Sequence, residues 1–410
     1  MLDSVNVAFS GLTAFSDGLR NISTNVANMN STGFKGTALQ FSDLFYKMDL
    51  TVNGQTAPST FSQGSGVGIS YQGTDFSQGE ETTTDSTTDL AINGNGFFIL
   101  RQDNGTQTYT RNGHFDFDAN GYLVDPASGA RVAGMTAAGQ LTDINIADLA
   151  RSPAKATSQI NLSGTLNRAD TTGTTTTLTD GVNVIDPSGS LTHVNVVATK
   201  VDDVTPGDPS WTVQVTNDAG SVLLSGGAIR FQGDGSLQDG FNTVSFVVTP
   251  AGGAPQTVSL NFGTAGSLSG GVVAFTTSSA ALSVGSQDGF AMGEVTKRTF
   301  DTSGALTLTY SNGQTVVDKK VALAQFNDMQ ALTPVSGAQF INSSNQTPVF
   351  GTAGTNGFGA IQGSSLEASN VNLAAEFSQL VIIQRGYQSA SQVLSAANDM
   401  AQQLIELFKK

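Results

Sequence analysis

VNVAFSGLTAFSDGLRNISTNVANM, residues 5–29, decides how the chain must be built. Val5, Ala8, Leu12, Phe15, Leu19, Ile22, Val26 and Met29 alternate three and four residues apart within it, the a/d spacing of a helical heptad. The far end repeats the device with Leu380, Ile383, Tyr387, Ala390, Leu394, Ala397, Ala401, Leu404 and Phe408. So narrow a stripe needs a partner helix along its length, because the row of Leu, Ile and Phe would otherwise stand in water. Burying each large residue of the first stripe gains roughly 1.5–3 kcal/mol, against about 1–2 kcal/mol for every residue ordered. One partner helix does not offset that cost, which favours ends that order when several copies pack together. An intramolecular hairpin of the two ends satisfies the same spacing, and periodicity leaves both arrangements open.

Composition narrows the class. A chain of 410 residues is long enough for two or three domains with real cores. Charged residues are 12% of it and glycines number 47, so the surface is made largely of Ser, Thr, Asn, Gln and Gly. The net charge of −15, scattered and unrelieved by any basic patch, argues against nucleic acid or an anionic membrane as partner. No cysteine is present, which excludes disulfides and thiolate chemistry, and only His114 and His193 offer imidazole. No window approaches about 18 consecutive apolar residues, so no membrane insertion is expected. Met1-Leu2-Asp3-Ser4 lacks a basic n-region and an apolar h-region, so no cleavable secretory signal is expected.

Between the ends the texture is that of strands. Ser4 is positioned to cap the first helix, and Asn28-Met29-Asn30-Ser31-Thr32-Gly33 to stop it. Residues 34–70, broken by Gly54, Pro58, Gly64, Gly66 and Gly68, read as an extended connector. From Ile69 the period falls to two, and Asn93-Gly94-Asn95-Gly96 between Leu90-Ala91-Ile92 and Phe97-Phe98-Ile99-Leu100 reads as a hairpin turn. Asp103-Asn104-Gly105, Arg111-Asn112-Gly113 and Ala119-Asn120-Gly121 repeat it, which predicts antiparallel β structure. After a linker at 141–156, residues 157–286 read as a second run of strands, including 194–197, 211–215, 244–248 and 258–260. Strands resume at 304–310 and 316–326, and 351–359 leads to the last helix, capped by Ser369 or Asn370 and ending on Lys409 and Lys410. The expected fold is α+β, mainly β, with nested discontinuous domains. They are terminal coiled-coil helices (1–32 and 364–410), a connector (33–70), a β domain (71–145 and 287–363) and an inserted outer β domain (146–286).

No stretch reads as a catalytic, cofactor-binding or metal site. Asp116-Phe117-Asp118-Ala119-Asn120-Gly121 begins like a calcium loop, but Ala127 stands where the bidentate carboxylate belongs, so a β-turn is expected. Gly64-Ser65-Gly66-Val67-Gly68 and residues 351–359 run into no lysine-bearing helix and read as turns. His114 and His193 lack an orienting constellation and read as structural. Asn21, Asn25 and Asn28 share one face of the first helix, while Gln384, Arg385 and Gln388 mark the last. These are solvated faces on an isolated helix, or register-fixing amides in a multi-helix assembly.

Three blocks carry a family resemblance. The run Ala27-Asn28-Met29-Asn30-Ser31-Thr32-Gly33-Phe34-Lys35 resembles the N-terminal signature of the bacterial flagellar rod and hook axial proteins. Asp89 to Phe98, with Gly96, Phe97 and Phe98, then Tyr109-Thr110-Arg111-Asn112-Gly113-His114-Phe115 and Asn120-Gly121-Tyr122-Leu123, is similar to their central block. Leu366-Glu367-Ala368-Ser369-Asn370-Val371-Asn372-Leu373, then Gln384-Arg385-Gly386-Tyr387-Gln388, is similar to their C-terminal motif, with Gly386 where the pattern has a bulkier residue. Rod members generally lack a large inserted domain, and an insertion of about 130 residues is a full domain by size, so within the family the resemblance implies the hook member. The alternatives are the distal rod member or, from another class, a secreted β-rich adhesin or glycan-acting enzyme. The resemblance implies a flexible tubular homopolymer, extracellular on the basal body, that joins rod to filament and carries motor torque. Implied partners are further copies of the chain, distal rod and hook-filament junction proteins, a hook cap and the flagellar type III export apparatus. Val5, Leu12, Phe15, Leu19, Ile22, Val26, Met29, Leu380, Ile383, Tyr387, Leu394, Leu404 and Phe408 are then the expected subunit interface, and no cofactor is implied.

Overall fold

The computed structural model describes residues 2–44, 66–250, 254–276 and 279–408, with the side chains of 2–3 and 404–408 outside that description. It is mainly β between two long helices, α1 (Leu2–Ala27) and α2 (Leu373–Phe408). The chain divides into two compact units: residues 1–147, 298–308 and 316–410, and residues 148–297 with 309–315.

In the first unit, α1 begins at Leu2, which puts Ser4 inside the helix rather than at its cap. The expected stop after Ala27 forms, and Gly33 sits at φ +68, a conformation that a side chain would strain. The cap of α2 is Asn372, not Ser369 or Asn370. Its side-chain oxygen accepts from the backbone N–H of Ala374 and Ala375, satisfying donors that the first turn leaves free. The stretch expected as a connector contributes two strands, β1 (Thr37–Asp43) and β2 (Val67–Thr74), paired antiparallel; Gly54, Pro58 and Gly64 lie outside the described residues. The β1–β2 ribbon lies against α1, with Asn21 and Asn25 both donating to the Thr37 carbonyl and the Phe15 and Phe41 rings 5.8 Å apart.

Two of the four expected hairpin turns form; Arg111-Asn112-Gly113 makes none, because Gln107–Thr110 pairs with Phe97–Arg101 and Gln339–Asn342, and Asp116–Phe117 pairs with Leu123–Val124. Phe97–Arg101 and Gln107–Thr110 make a hairpin across Asn104-Gly105, and Asp116–Phe117 pairs with Leu123–Val124 across Asn120-Gly121. The Asn93–Gly96 segment does not make a hairpin. Leu90–Asn93 pairs with Ala360–Gly363 and Phe97–Arg101 with other strands, so Gly94 and Gly96, both at positive φ, carry the chain from one sheet to another. The calcium-like stretch is a turn, with Asp118 Oδ1 accepting from the backbone N–H of Asn120 and Tyr122. The core of this unit gathers Phe97, Ile99, Tyr109, Ala133, Phe326, Leu332 and Phe340, with aromatic rings meeting edge to face.

The second unit has its own core, drawn entirely from residues between Ile160 and Leu282. Gln159–Asn167 is central to one sheet, parallel to Gln256–Asn261 and Val272–Phe275 and antiparallel to Ala281–Gln287. A second sheet is built on the long hairpin Leu191–Thr205 and Asp208–Asn217, which places Trp211, fully buried, edge-on to Phe231. The entering and leaving strands are tied by Asp288, which accepts from Ser158 N, Ser158 Oγ and Gln159 N. Burial works against the Asp288 carboxylate, but these hydrogen bonds and Lys155 hold its pKa below the ordinary 3.8. Hydrogen bonds from Ser188 and Ser236 lower Asp186 and Asp234 likewise. A carboxylate with a depressed folded pKa contributes stability above its unfolded pKa and loses it as pH falls through the folded one. The second unit should therefore loosen below pH 3.8, read by fluorescence of Trp211, the chain's single tryptophan. Asp288→Asn should flatten that acid limb, and an unchanged limb would exclude the tie.

Candidate functional site

The two helices lie antiparallel and pack on each other within the one chain. Gly11 faces Ala390, Phe15 faces Gly386 and Gly18 faces Ile383, while Asn25 donates to Glu376 Oε1 at 2.9 Å. Each step of three, four or seven residues along α1 is matched by an equal step backwards along α2, which is heptad registry. The contact is close because glycine lies under a large side chain on each side. A Cβ on Gly18 would stand 2.8 Å from Ile383 Cδ1, and one on Gly386 would stand 2.7–2.9 Å from three atoms of the Phe15 ring. Gly386 is thus the seat of Phe15.

The buried stripe of α1 differs from the expected seam. Ala8, Gly11, Ala14, Gly18, Ile22 and Asn25 are its buried residues, whereas Val5, Leu12, Phe15, Leu19 and Val26 are half-buried along one side, as is Met29 in the turn beyond the helix. On α2, Ile383 and Ala397 are buried, and Leu380 and Leu394 are half-buried. Tyr387, expected at the subunit interface, is 40% exposed in the single subunit, where Gly386 takes the place opposite Phe15. Leu404 and Phe408 lie outside the described side chains. Away from the seam, the hairpin presents apolar groups to solvent. Ile382, Val393 and Met400 form a row spaced eleven and seven apart on α2, Phe377 and Val381 lie on another side, and Phe9 projects from α1.

The hairpin is rooted in a buried ionic joint. Lys35, just after α1, donates from Nζ to Glu367 Oε1 and to the Ser77 carbonyl. Arg111 donates to Glu367 Oε2 at 3.2 Å and to the Ile92 and Gly94 carbonyls. Glu367, just before α2, also accepts from Gly79 N on Oε1 and from Gly33 N on its own carbonyl. The side chains of Lys35 and Glu367 are fully buried and that of Arg111 nearly so. Burial pushes the Lys35 ammonium below its ordinary value and the charge of Arg111 adds to that, while Glu367 opposes. Beside this joint, Asn370 accepts from Gly36 N and donates to the Asp75 and Ser77 carbonyls. The Gly36 Cα faces Val371, 3.3 Å from where a Cβ would sit.

The three motif blocks therefore meet: Gly33 and Lys35 from the first, Arg111 from the second, Glu367, Asn370 and Val371 from the third. Phe97 and Phe98 are buried in the adjoining β core, and Gly113 lies so close to the Leu90 carbonyl that no side chain fits. Ser369 Oγ accepts from Val371 N, and Asn28 donates to the Thr24 carbonyl of its own helix. Gln384, Arg385 and Gln388 are exposed, so that face of α2 reads as solvated. Gly11, Gly18 and Glu367 were not among the expected site residues. The recurrence of small residues at 8, 11, 14 and 18 is the signal that finds the first two. His114 Nδ1 pairs with Asp89, and His193 lies between Asp218 and the Asp180 carbonyl. Among the described residues no group of three or more His, Asp or Glu side chains could hold a metal ion, and no helix is long and apolar enough to cross a membrane.

A family model described as the flagellar hook protein FlgE/F/G D1 domain matches residues 91–167, and one described as the flagellar basal body rod FlgEFG protein C-terminal matches 362–407. The flagellar hook protein FlgE of Brucella suis is 30% identical over 417 residues, covering 97% of each chain. That of Borreliella burgdorferi is 29% identical over 450 residues, covering 99% of this chain and all of the relative. That of Escherichia coli is 29% identical over 426 residues and 98% of both chains. Among solved structures, the Helicobacter pylori flagellar hook protein FlgE2 aligns with a TM-score of 0.47 at 13% identity, over 70% of this chain and all of that one.

Proposed function

The chain belongs to the flagellar hook protein FlgE family, and from that premise we propose that it is the structural subunit of the bacterial flagellar hook, polymerising into a curved tube that carries torque from rod to filament. The observation that supports this most is the alignment of hook proteins with the chain over nearly its whole length, both helical ends included. The hairpin gives the reading a physical basis. Its seam is satisfied within the subunit, yet Phe9, Ile382, Val393 and Met400 still stand in water. Such rows are covered when hairpins of neighbouring copies pack side by side. The partner is thus another copy of the chain. At the two ends of the tube the partners are the distal rod and hook-filament junction proteins, with a hook cap during growth. Delivery to the cell exterior is by the flagellar type III export apparatus. The role requires no catalytic group.

Ile382→Asp tests the outer face without touching the seam, since Ile382 is 68% exposed in the subunit. The expected result is a folded subunit that forms no tubes in electron micrographs and supports no motility. Normal tubes from this variant would remove the row from the polymer contact. Failure of the unaltered chain to form tubes or restore motility would remove the hook assignment itself.

A further inference from the structure

The joint carries more positive than negative charge. Two cations, Lys35 and Arg111, share one buried carboxylate, Glu367; Asp75, the other acid whose charge reaches Lys35, is exposed and accepts from Ser77 N. Both cations belong to the first third of the chain, and their anion follows Arg111 by 256 positions. The strands around the joint have the same dependence, for Glu81–Thr83 is paired by Ser365–Glu367 and Leu90–Asn93 by Ala360–Gly363. The second unit draws its whole core from one contiguous stretch and has no such dependence.

We propose that the joint is a charge-gated closure: the root of the helical hairpin and its flanking strands cannot close until Glu367 docks between Lys35 and Arg111, so this region closes after the second unit. Before docking, closure would bury two cations together, and a buried charge without a partner is strongly unfavourable. After docking a surplus of one positive charge remains. It keeps the closed state weaker than a neutral joint would be. The proposal concerns the closing of one subunit and stands apart from what the subunit assembles into.

The test is amide hydrogen exchange on the full-length chain with the joint's net charge varied. Glu367→Gln leaves two buried cations, Lys35→Met leaves the neutral Arg111–Glu367 pair, and the two together leave one cation. In Glu367→Gln, strands 81–83, 90–93 and 360–367 should exchange faster than in the unaltered chain by on the order of a hundredfold or more, while 244–248 and 258–260 do not change. Lys35→Met should exchange as slowly as the unaltered chain or more slowly, and the double variant should fall between. Pulse labelling during refolding should protect 244–248 before 90–93. Faster exchange in Lys35→Met would make the Lys35 pair a net stabiliser and overturn the gate. So would an unaltered rate in Glu367→Gln, acceleration of the second unit alongside the first, or earlier protection of 90–93.

Discussion

Gly386→Leu is expected to abolish tube formation while leaving both β units folded. A first carbon at this position already falls within 2.9 Å of the Phe15 ring, and the Phe41 ring packs against Phe15 with centroids 5.8 Å apart. Overpacking a filled contact costs about 1–3 kcal/mol even where neighbours can shift. Here the relief open to the chain is to lift α1 from α2, which exposes Ala8, Ile22 and Ile383 together. The decisive comparison is Phe15→Ala with Gly386→Leu in one chain. Phe15→Ala alone should weaken the hairpin by leaving a cavity, at less than the about 3–5 kcal/mol of a fully buried Phe→Ala change because Phe15 is half-buried. The leucine of the double variant fills that cavity from the opposite helix, so the pair should assemble better than either single change. Electron microscopy counts the tubes, and circular dichroism reports the helices. Native assembly by Gly386→Leu alone would dismiss the seat as a determinant of the hairpin.

Removing either helix should be as complete in effect and more selective in cause. Deletions of residues 1–30 and 371–410 each stop short of the ionic joint, keeping Lys35, Arg111 and Glu367. The expected product is a subunit whose β cores are intact by near-ultraviolet circular dichroism and Trp211 fluorescence, but which forms no tubes. The partner helix left behind loses its seam and should fray, because helices of this kind draw most of their stability from packing. Normal tubes from either deletion would place the polymer contacts in the β units instead.

Much of this architecture can be read from the residues, and the failures have identifiable physical causes. The heptads at both ends locate the two helices because apolar spacing reports which side of a cylinder must be covered. The face that α1 buries against α2 within the subunit is offset from them. A hydrophobic pattern weights Leu12 and Leu19, whereas the closest contacts form where Gly18 lies under Ile383 and Gly386 under Phe15, and glycine adds nothing to a count of apolar residues. Turn chemistry correctly gives the hairpins at Asn104-Gly105 and Asn120-Gly121, where strand partners are adjacent in sequence. It fails at Asn93–Gly96, because the true partner of Leu90–Asn93 lies at Ala360–Gly363 and local preference contains no information about it. The joint was hidden for the same reason. Lys35, Arg111 and Glu367 each stand in a motif that the resemblance singles out, but no spacing rule states that three such distant residues share one buried site.

Phe15 on Gly386 has a mechanical consequence. Gly386 is the one glycine in α2, so sliding the helices by a turn would bring the Phe15 ring against Ile382 or Ile383 in one direction and Ser389 or Ala390 in the other. None of these leaves the space that glycine does, and the interlock of Ile383 on Gly18 would be lost in the same slip. The hairpin has a single seated position along its axis, like a bolt in a detent, and resists shear between its two arms. A subunit under twisting load would then pass the load through this strut undeformed, and the compliance of an assembly would reside where the strut ends.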